Sequence, residues 1–425
     1  QHLAGDCRSE ASTLNNVAML LVDLGDLQKA LDYLNHAEEI RQDAPDRRGD
    51  ATVLENLGVV YHELGEIDKA LDYYNRSLQL RKDSEDKAGE ASTLNNLGKA
   101  YQENGKLDLA EKYFQQSLDL AHSIGMKSVE GQVLNNLGGV YQKKEDLGTA
   151  FDYYNQALEL RRKIEDRQGE AETLDSLGTN LLAYDELQKA LRMYGLGLQL
   201  RRQIGDRPGE AESLFHIASL KRRQGQLVSA LDYIDSCISI VETLRVRVLS
   251  QNLRASFFGA SRKYYELYQN LLFELHQIEP SAGYDARAFQ VSERSRARGL
   301  MELLAESSLD LTRGVEPGLL LEERSVREEL NSKLDRQMRL LSSGDWPEEA
   351  VRLGEEIESL NMQYEQIEAT IRRTNPRYAQ IMKPEPLNLS RVQDSVLDDN
   401  TVLLEFSLGD EKSFVWAVSR HGLKS

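Results

Sequence analysis

The sequence is poor in cysteine: Cys7 and Cys237 are the only two in 425 residues. Thiols so far apart supply no disulfide framework, and no Cys/His cluster has zinc spacing. That scarcity points to a reducing compartment, the cytoplasm. The seven histidines are scattered. No HExxH helix, GxSxG elbow or phosphate-cradling glycine loop occurs. Gly195 and Gly197 sit inside a helical pattern and are read as a packing feature. No metal or cofactor is called for. No run of eighteen apolar residues offers a membrane span. The start, Gln1-His2-Leu3-Ala4-Gly5-Asp6, has neither the basic region nor the apolar stretch of a signal peptide. Positive charge is also short, 52 Lys and Arg against 70 Asp and Glu, a net charge of −18. Sequence-independent binding to nucleic acid or to an anionic membrane needs the opposite balance.

What the chain has is a repeat. Residues 49–63 read GDATVLENLGVVYHE and residues 89–103 read GEASTLNNLGKAYQE; GEAETLDSLG follows at 169–178 and GEAESL at 209–214. A leucine recurs every 40 residues at Leu14, Leu54, Leu94, Leu134, Leu174 and Leu214. Four residues on stands a small residue: Ala18, Gly58, Gly98, Gly138, Gly178 and Ala218. An alanine recurs at Ala30, Ala70, Ala110, Ala150, Ala190 and Ala230.

Each unit reads as two helices. Leu54, Leu57, Gly58 and Tyr61 share one face of a first helix, Gly65 breaks it, and Ala70, Tyr74, Ser77 and Leu78 repeat the spacing. Asp46, Asp86, Asp166 and Asp206 are the expected N-caps of the first helices. Arg81, Lys82, Arg161, Arg162, Arg201 and Arg202 fall in the last turn of the second helices, where positive charge meets the helix dipole. Gly58 and Ala70 mark the close approach of the pair, with Tyr61 and Tyr74 beside them. One pair cannot bury both faces, so the units stack into an all-α, right-handed α-α superhelix with a concave groove.

The spacing Leu57-Gly58-x2-Tyr61 followed by Ala70-x3-Tyr74 resembles the tetratricopeptide repeat, in the long form found in kinesin light chains and G-protein-signalling modulators. The usual period is about 34 residues, and the extra six here fall after the second helix, lengthening it or its loop. The resemblance covers roughly residues 5–245. It implies a protein or peptide ligand in the groove lined by first helices. The register Asn16, Asn56, Asn96, Asn136, Ser176 and His216 faces that groove, preceded by Asn15, Glu55, Asn95, Asn135, Asp175 and Phe215. Asparagine is a poor helix former, and an amide both donates and accepts. A ladder of them fits the backbone of an extended peptide. The alternative is local packing and hydrogen bonding to the neighbouring helix. Lys99, Gln102, Asn135 and Gln142 complete the candidate set, among charges of mixed sign.

After the repeats the pattern changes. Residues 1–245 are read as six repeats, 246–307 as a capping helix pair or irregular seventh unit, and 308–318 as a linker. Residues 319–375 read as an antiparallel coiled-coil hairpin turning at Ser342-Ser343-Gly344-Asp345, with dimerisation through its seam as one possibility. Residues 376–399 form a second linker holding Pro384 and Pro386. The runs Thr401–Leu408 and Ser413–Val418 read as a β-hairpin turning at 409–412. Arg287, Arg294, Arg296 and Arg298 make a basic patch, read as a solvated face or a docking surface.

The order of LRASFF, YELYQNLL, SERSRARGLMELL, the helical hairpin and LLEFSLGDEKSFVWAV resembles bacterial proteins that join tetratricopeptide repeats to a CHAT domain, a caspase-like cysteine peptidase fold. That resemblance covers residues 243–425 and implies a chain cut early in the CHAT domain, with the caspase-like domain as a partner in cis. The family's His and Cys would lie on later strands; His421 comes too early, and Cys7 and Cys237 belong to the repeats. No catalytic residue is assigned. The expected function is a binding module that regulates an attached peptidase. The alternatives are a peptidase whose repeats position substrate and a non-catalytic scaffold.

Overall fold

The computed structural model describes residues 2–23, 27–43, 46–247, 251–293, 316–342, 348–374, 389–409 and 412–425. It divides into two compact units, Gln1–Tyr284 and Asp285–Ser425.

The first unit is a stack of antiparallel helix pairs. In chain order these are α1 (His2–Asp23) and α2 (Leu27–Asp43), α3 (Arg47–Glu63) and α4 (Ile67–Asp83), and α5 (Lys87–Glu103) and α6 (Leu107–Ile124). Next come α7 (Lys127–Lys143) and α8 (Leu147–Lys163), α9 (Arg167–Ala183) and α10 (Leu187–Ile204), α11 (Arg207–Arg223) and α12 (Leu227–Arg247), then α13 (Gln251–Ile278). Neighbouring first helices pack on each other along most of the stack, and second helices do so less. The stack therefore curves toward its first helices, which line the concave side.

The period resolves into two halves of 20 residues. Backbone with positive φ recurs at Gly65, Glu85, Gly105, Gly125, Glu145, Glu165, Asp185, Gly205 and Gly225. Helices α3 to α11 thus each end in the same short turn. The length beyond the usual repeat lies in helix, because α4 runs 17 residues and only residues 84–86 separate it from α5.

The alanine register Ala30, Ala70, Ala110, Ala150, Ala190 and Ala230 is wholly buried. The glycine register has a specific reason. A Cβ at Gly58, Gly98, Gly138 or Gly178 would stand 2.5–2.6 Å from the ring of Tyr74, Phe114, Tyr154 or Tyr194. The aromatic side chain of the second helix lies flat against the bare backbone of the first. Tyr61 takes a different partner from Tyr74: it stacks on Tyr73 at 5.3 Å, as Tyr101 stacks on Tyr113 and Tyr141 on Tyr153. Gly197 lies under Asp175, whereas a methyl at Gly195 would meet nothing, so packing accounts for only one of that pair.

Three of the four expected caps form. The carboxylates of Asp86, Asp166 and Asp206 accept from the backbone N–H of Gly89, Gly169 and Gly209. Asp146 does the same for Thr149 at the head of α8. Asp46 differs: its side chain accepts no cap bond, and its own N–H donates to Asp50 at 3.2 Å instead. Asp206→Ala is therefore expected to lower stability by about 0.5–2 kcal/mol, and Asp46→Ala by visibly less. Paired urea melts check the difference.

In the second unit, α14 (Pro317–Ser342) and α15 (Glu348–Thr374) form an antiparallel hairpin. Ile367 and Ile371 bury against Leu319, Leu320 and Val326, while Lys333 pairs with Glu356 at 2.7 Å. Its expected turn at residues 343–345 lies outside the described residues, as do residues 308–315, 375–388, Arg294, Arg296, Arg298, and Asp410 with Glu411. Leu389–Ser395, inside the expected second linker, forms a short helix, α16. The terminal sheet has three antiparallel strands: β1 (Leu403–Ser407), β2 (Phe414–Ser419) and β3 (Gly422–Lys424). The expected hairpin is β1–β2; β3, only three residues long, carries too little pattern to be read from sequence. Phe414, Trp416 and Val418 point to one face and are buried, with Phe289 of the helical stretch 284–293 edge-on to Trp416 at 6.2 Å.

Candidate functional site: the first-helix face

The asparagine register forms a ladder between repeats. Asn56 Nδ2 donates to Asn15 Oδ1 at 2.8 Å, Asn96 to Glu55 Oε1 at 2.9 Å, and Asn136 to Asn95 Oδ1 at 2.8 Å. Each step joins a first helix to the one before it. One N–H of each amide is thereby engaged, and the second N–H and the carbonyl oxygen face away from that bond. Asn56, Asn96 and Asn136 are partly exposed, and Asn16 is exposed.

The ladder ends at the fifth repeat. Ser176 turns back to its own helix, Oγ to Glu172 O at 3.1 Å, and Asn135 Oδ1 is buried without a hydrogen bond. Of the other predicted residues, Lys99 is exposed, Lys143 Nζ donates to the Gln102 carbonyl at 3.4 Å, and Gln142 Oε1 accepts from Tyr154 Oη at 3.0 Å. His216 stands apart from the ladder. It stacks on Tyr194 at 4.9 Å, with Nε2 3.3 Å from Glu212.

Beneath the ladder runs a spine that sequence reasoning missed. Arg41, Arg81, Arg161 and Arg201 are not exposed helix-end charges but buried side chains. Arg81 bonds Glu55 Oε2 and Asp86 Oδ2, both at 2.5 Å. Arg201 bonds Asp175 Oδ2 at 2.7 Å, Ser213 Oγ at 2.9 Å and the Gly209 carbonyl at 2.5 Å. Arg161 bonds the Gly169 carbonyl and Thr173 Oγ1. Each guanidinium lies across the first turn of the next first helix, where a Cβ on Gly49, Gly89, Gly169 or Gly209 would overlap it. Their neighbours Arg162 and Arg202 sit half-exposed, paired with Glu170 and Glu210, and Lys82 is exposed.

The signal was present in the sequence as a correlation within the chain. Arginine and glycine eight residues apart occur together at 41/49, 81/89, 161/169 and 201/209, and fail together at Ala121/Val129. At that junction Ala121 and Val129 join an apolar cluster with Val133 and Leu137. The hold there moves to the other end of the helices, where Lys144 bonds Asp108 at 2.6 Å and Glu111 at 2.7 Å.

Burial raises the carboxyl of Glu55 above its ordinary value, against the pull of Arg81. Burial likewise raises Asp175 against Arg201. Glu212 goes the other way. Burial opposes its charge, but hydrogen bonds from His216, Lys263 and Tyr264 outweigh it and hold the carboxyl well below the usual range. Burial pushes the Cys237 thiol up to about 12, which keeps it an un-ionised core residue.

Residues 9–83 and 130–203 match one family model described as tetratricopeptide repeat, and residues 91–123 match a second model of the same description. These segments are tetratricopeptide repeats. No curated protein matches the chain. Among solved structures, aspartyl phosphate phosphatase F from Bacillus subtilis is 13% identical, with a TM-score of 0.50 over 66% of this chain and 70% of that one. The Rap protein complexed with competence and sporulation factor is 12% identical, with a TM-score of 0.49 over 84% and 87%. The Rap conjugation gene regulator of plasmid pLS20, solved with the Phr* peptide, is 18% identical, with a TM-score of 0.49 over 67% and 73%. At such identity the likeness to the phosphatase shows a common tetratricopeptide-type fold alone.

Among the described residues no Asp, Glu, His and Cys cluster could hold a metal ion, and no helix is long and apolar enough to cross a membrane.

Proposed function

We propose that the chain is a protein- or peptide-binding repeat module whose ligand lies in the concave first-helix groove and whose occupancy regulates a caspase-like peptidase domain in cis. The observation that carries the binding reading is the Asn56–Asn96–Asn136 ladder. It holds amides at fixed spacing, each with a carbonyl oxygen and one N–H directed away from the inter-repeat bond. Asn16, Lys99, Gln102, Asn135, Gln142, Ser176 and His216 complete the contact set in this reading. An amide recognises peptide backbone whatever the side chains, so the ladder supplies affinity and the flanking charges supply selection. The link to a peptidase rests on the order of motifs in residues 243–425. Self-association through the helical hairpin belongs to the same reading, and exposed Leu321 and Met362 favour it.

The test is a peptide selection against the full chain, followed by titration of the selected peptide. Asn96→Arg with Asn136→Arg is expected to weaken binding at least about tenfold, a loss of about 1.4 kcal/mol. Unchanged affinity would remove the ladder from the site. The peptidase link is tested by reading the frame past Ser425: a strand-rich domain carrying a His and a Cys at strand ends supports it, and a frame without them leaves an adaptor.

A further inference from the structure

The sixth repeat breaks the polar pattern of the first-helix face. The position held by Asn15, Glu55, Asn95, Asn135 and Asp175 is held there by Phe215. Its ring meets Tyr264 of α13 at 5.2 Å with planes 69° apart, making two walls of a corner. An ammonium sits in that corner. Lys263 Nζ is 5.3 Å from the Phe215 ring centroid and 5.2 Å from that of Tyr264, and it donates to Glu212 Oε1 at 2.7 Å. Glu212 Oε2 accepts from Tyr264 Oη at 2.5 Å, so the carboxylate keeps an anchor that does not depend on the lysine.

The lysine is half-exposed, at 47%, so solvent reaches the pair and partly screens it. Two aromatic faces and a fixed carboxylate are a receptor for a primary ammonium, since ring quadrupoles and the carboxylate attract the same cation. The chain supplies that cation from α13, one residue before Tyr264, in a protein whose net charge of −18 draws basic ligands.

We infer that the Glu212–Phe215–Tyr264 corner is a binding site for a lysine side chain of a basic peptide, and that Lys263 fills it as an intramolecular competitor. This rests on the groove reading above and names the chemistry taken at one end of the groove. A tethered side chain acts at millimolar effective concentration, so the incoming lysine must displace Lys263, and removing Lys263 opens the site.

The probe is tetralysine, acetylated and amidated at its ends, titrated calorimetrically into the full chain. Lys263→Ala is expected to bind it at least about tenfold more tightly than the wild type. Adding Glu212→Gln to Lys263→Ala is expected to abolish the gain. Lys69→Ala removes the same charge from a lysine over Tyr61 and is expected to match the wild type. Lys263→Gln, which keeps the stem but not the charge, replaces the alanine variant if that one loses its helix signal. Equal affinity of wild type and Lys263 variants, or a gain that survives Glu212→Gln, overturns the inference. The Glu212-dependent gain in Lys263→Ala and the weakening of the selected peptide by Asn96→Arg with Asn136→Arg are separate readouts, so the corner and the ladder can fail separately.

Discussion

Arg81→Ala is expected to destabilise the repeat array by about 3–5 kcal/mol, because it strands Glu55 as a buried carboxylate without its counter-charge. Glu55 is almost wholly enclosed, and it also accepts from the amide of Asn96 at 2.9 Å. The chain itself contains the remedy. In the third repeat, Asn95 stands where Glu55 stands and Ala121 where Arg81 stands, with Val129 in place of Gly89. Asn95 still accepts from Asn136 at 2.8 Å, so the ladder runs through a neutral step as well as an ionic one. Arg81→Ala with Glu55→Asn is expected to recover most of the loss, and Gly89→Val to recover more by filling the space the guanidinium leaves. Urea denaturation of the series checks it. A double variant no more stable than the single one would mean the arginine acts through its bonds to Asp86 rather than through Glu55.

The same variant carries a pH signature. Burial already raises Glu55, and losing Arg81 removes the attraction that opposes the rise. A carboxyl whose folded-state pKa lies above its unfolded value adds stability that is complete below the unfolded value. That stability is lost as pH climbs through the folded one. The deficit of Arg81→Ala is therefore expected to shrink on acidification toward the ordinary glutamate range and to be largest at neutral pH. Glu55→Asn in the same background should flatten the profile.

The 40-residue pattern was legible because it is a pattern of volume. Leucine, small residue, aromatic and alanine recur where helices touch, and helical spacing alone assigns them to faces. The caps at Asp86, Asp166 and Asp206 were legible for a similar reason, since capping is local. Asp46 was not, because the choice between accepting from N3 and receiving the Asp50 carboxylate lies in side-chain geometry. The arginine spine escaped because a cation in a last helical turn is the commonplace choice for the dipole. Its burial depends on glycine eight residues away in the next unit, a tertiary fact visible only by comparing repeats. For the candidate site, sequence supplied the register of asparagines but not the direction of their bonds. Whether an amide at Asn96 looks to a ligand or to Glu55 depends on where the preceding helix stands. His216 belongs by register to the ladder, yet Tyr194 and Glu212 draw it to the aromatic end.

Phe114→Ala is expected to cost about 3–5 kcal/mol, the range for a fully buried aromatic side chain whose cavity does not collapse. Phe114 is wholly buried, and its ring covers Gly98, where a Cβ would come within 2.5 Å of it. The two residues share one volume, so their substitutions should not add. Gly98→Leu alone forces the ring out of its slot and is expected to destabilise by about 1–3 kcal/mol, the range for overpacking. With Phe114→Ala already in place, the same Gly98→Leu puts apolar volume into the vacated slot and removes a helix-interior glycine, itself worth about 1 kcal/mol. Its effect is expected to change sign, from loss to gain. A double-mutant cycle by denaturant unfolding measures this directly, and a coupling near zero would show that the ring and the glycine do not contend for the same space. The same sign change is expected at Gly58 with Tyr74 and at Gly138 with Tyr154, because the rings there lie equally close. Its size should be smaller at Gly138, where the hydroxyl of Tyr154 also donates to Gln142 and truncation leaves that acceptor open to solvent on the groove side.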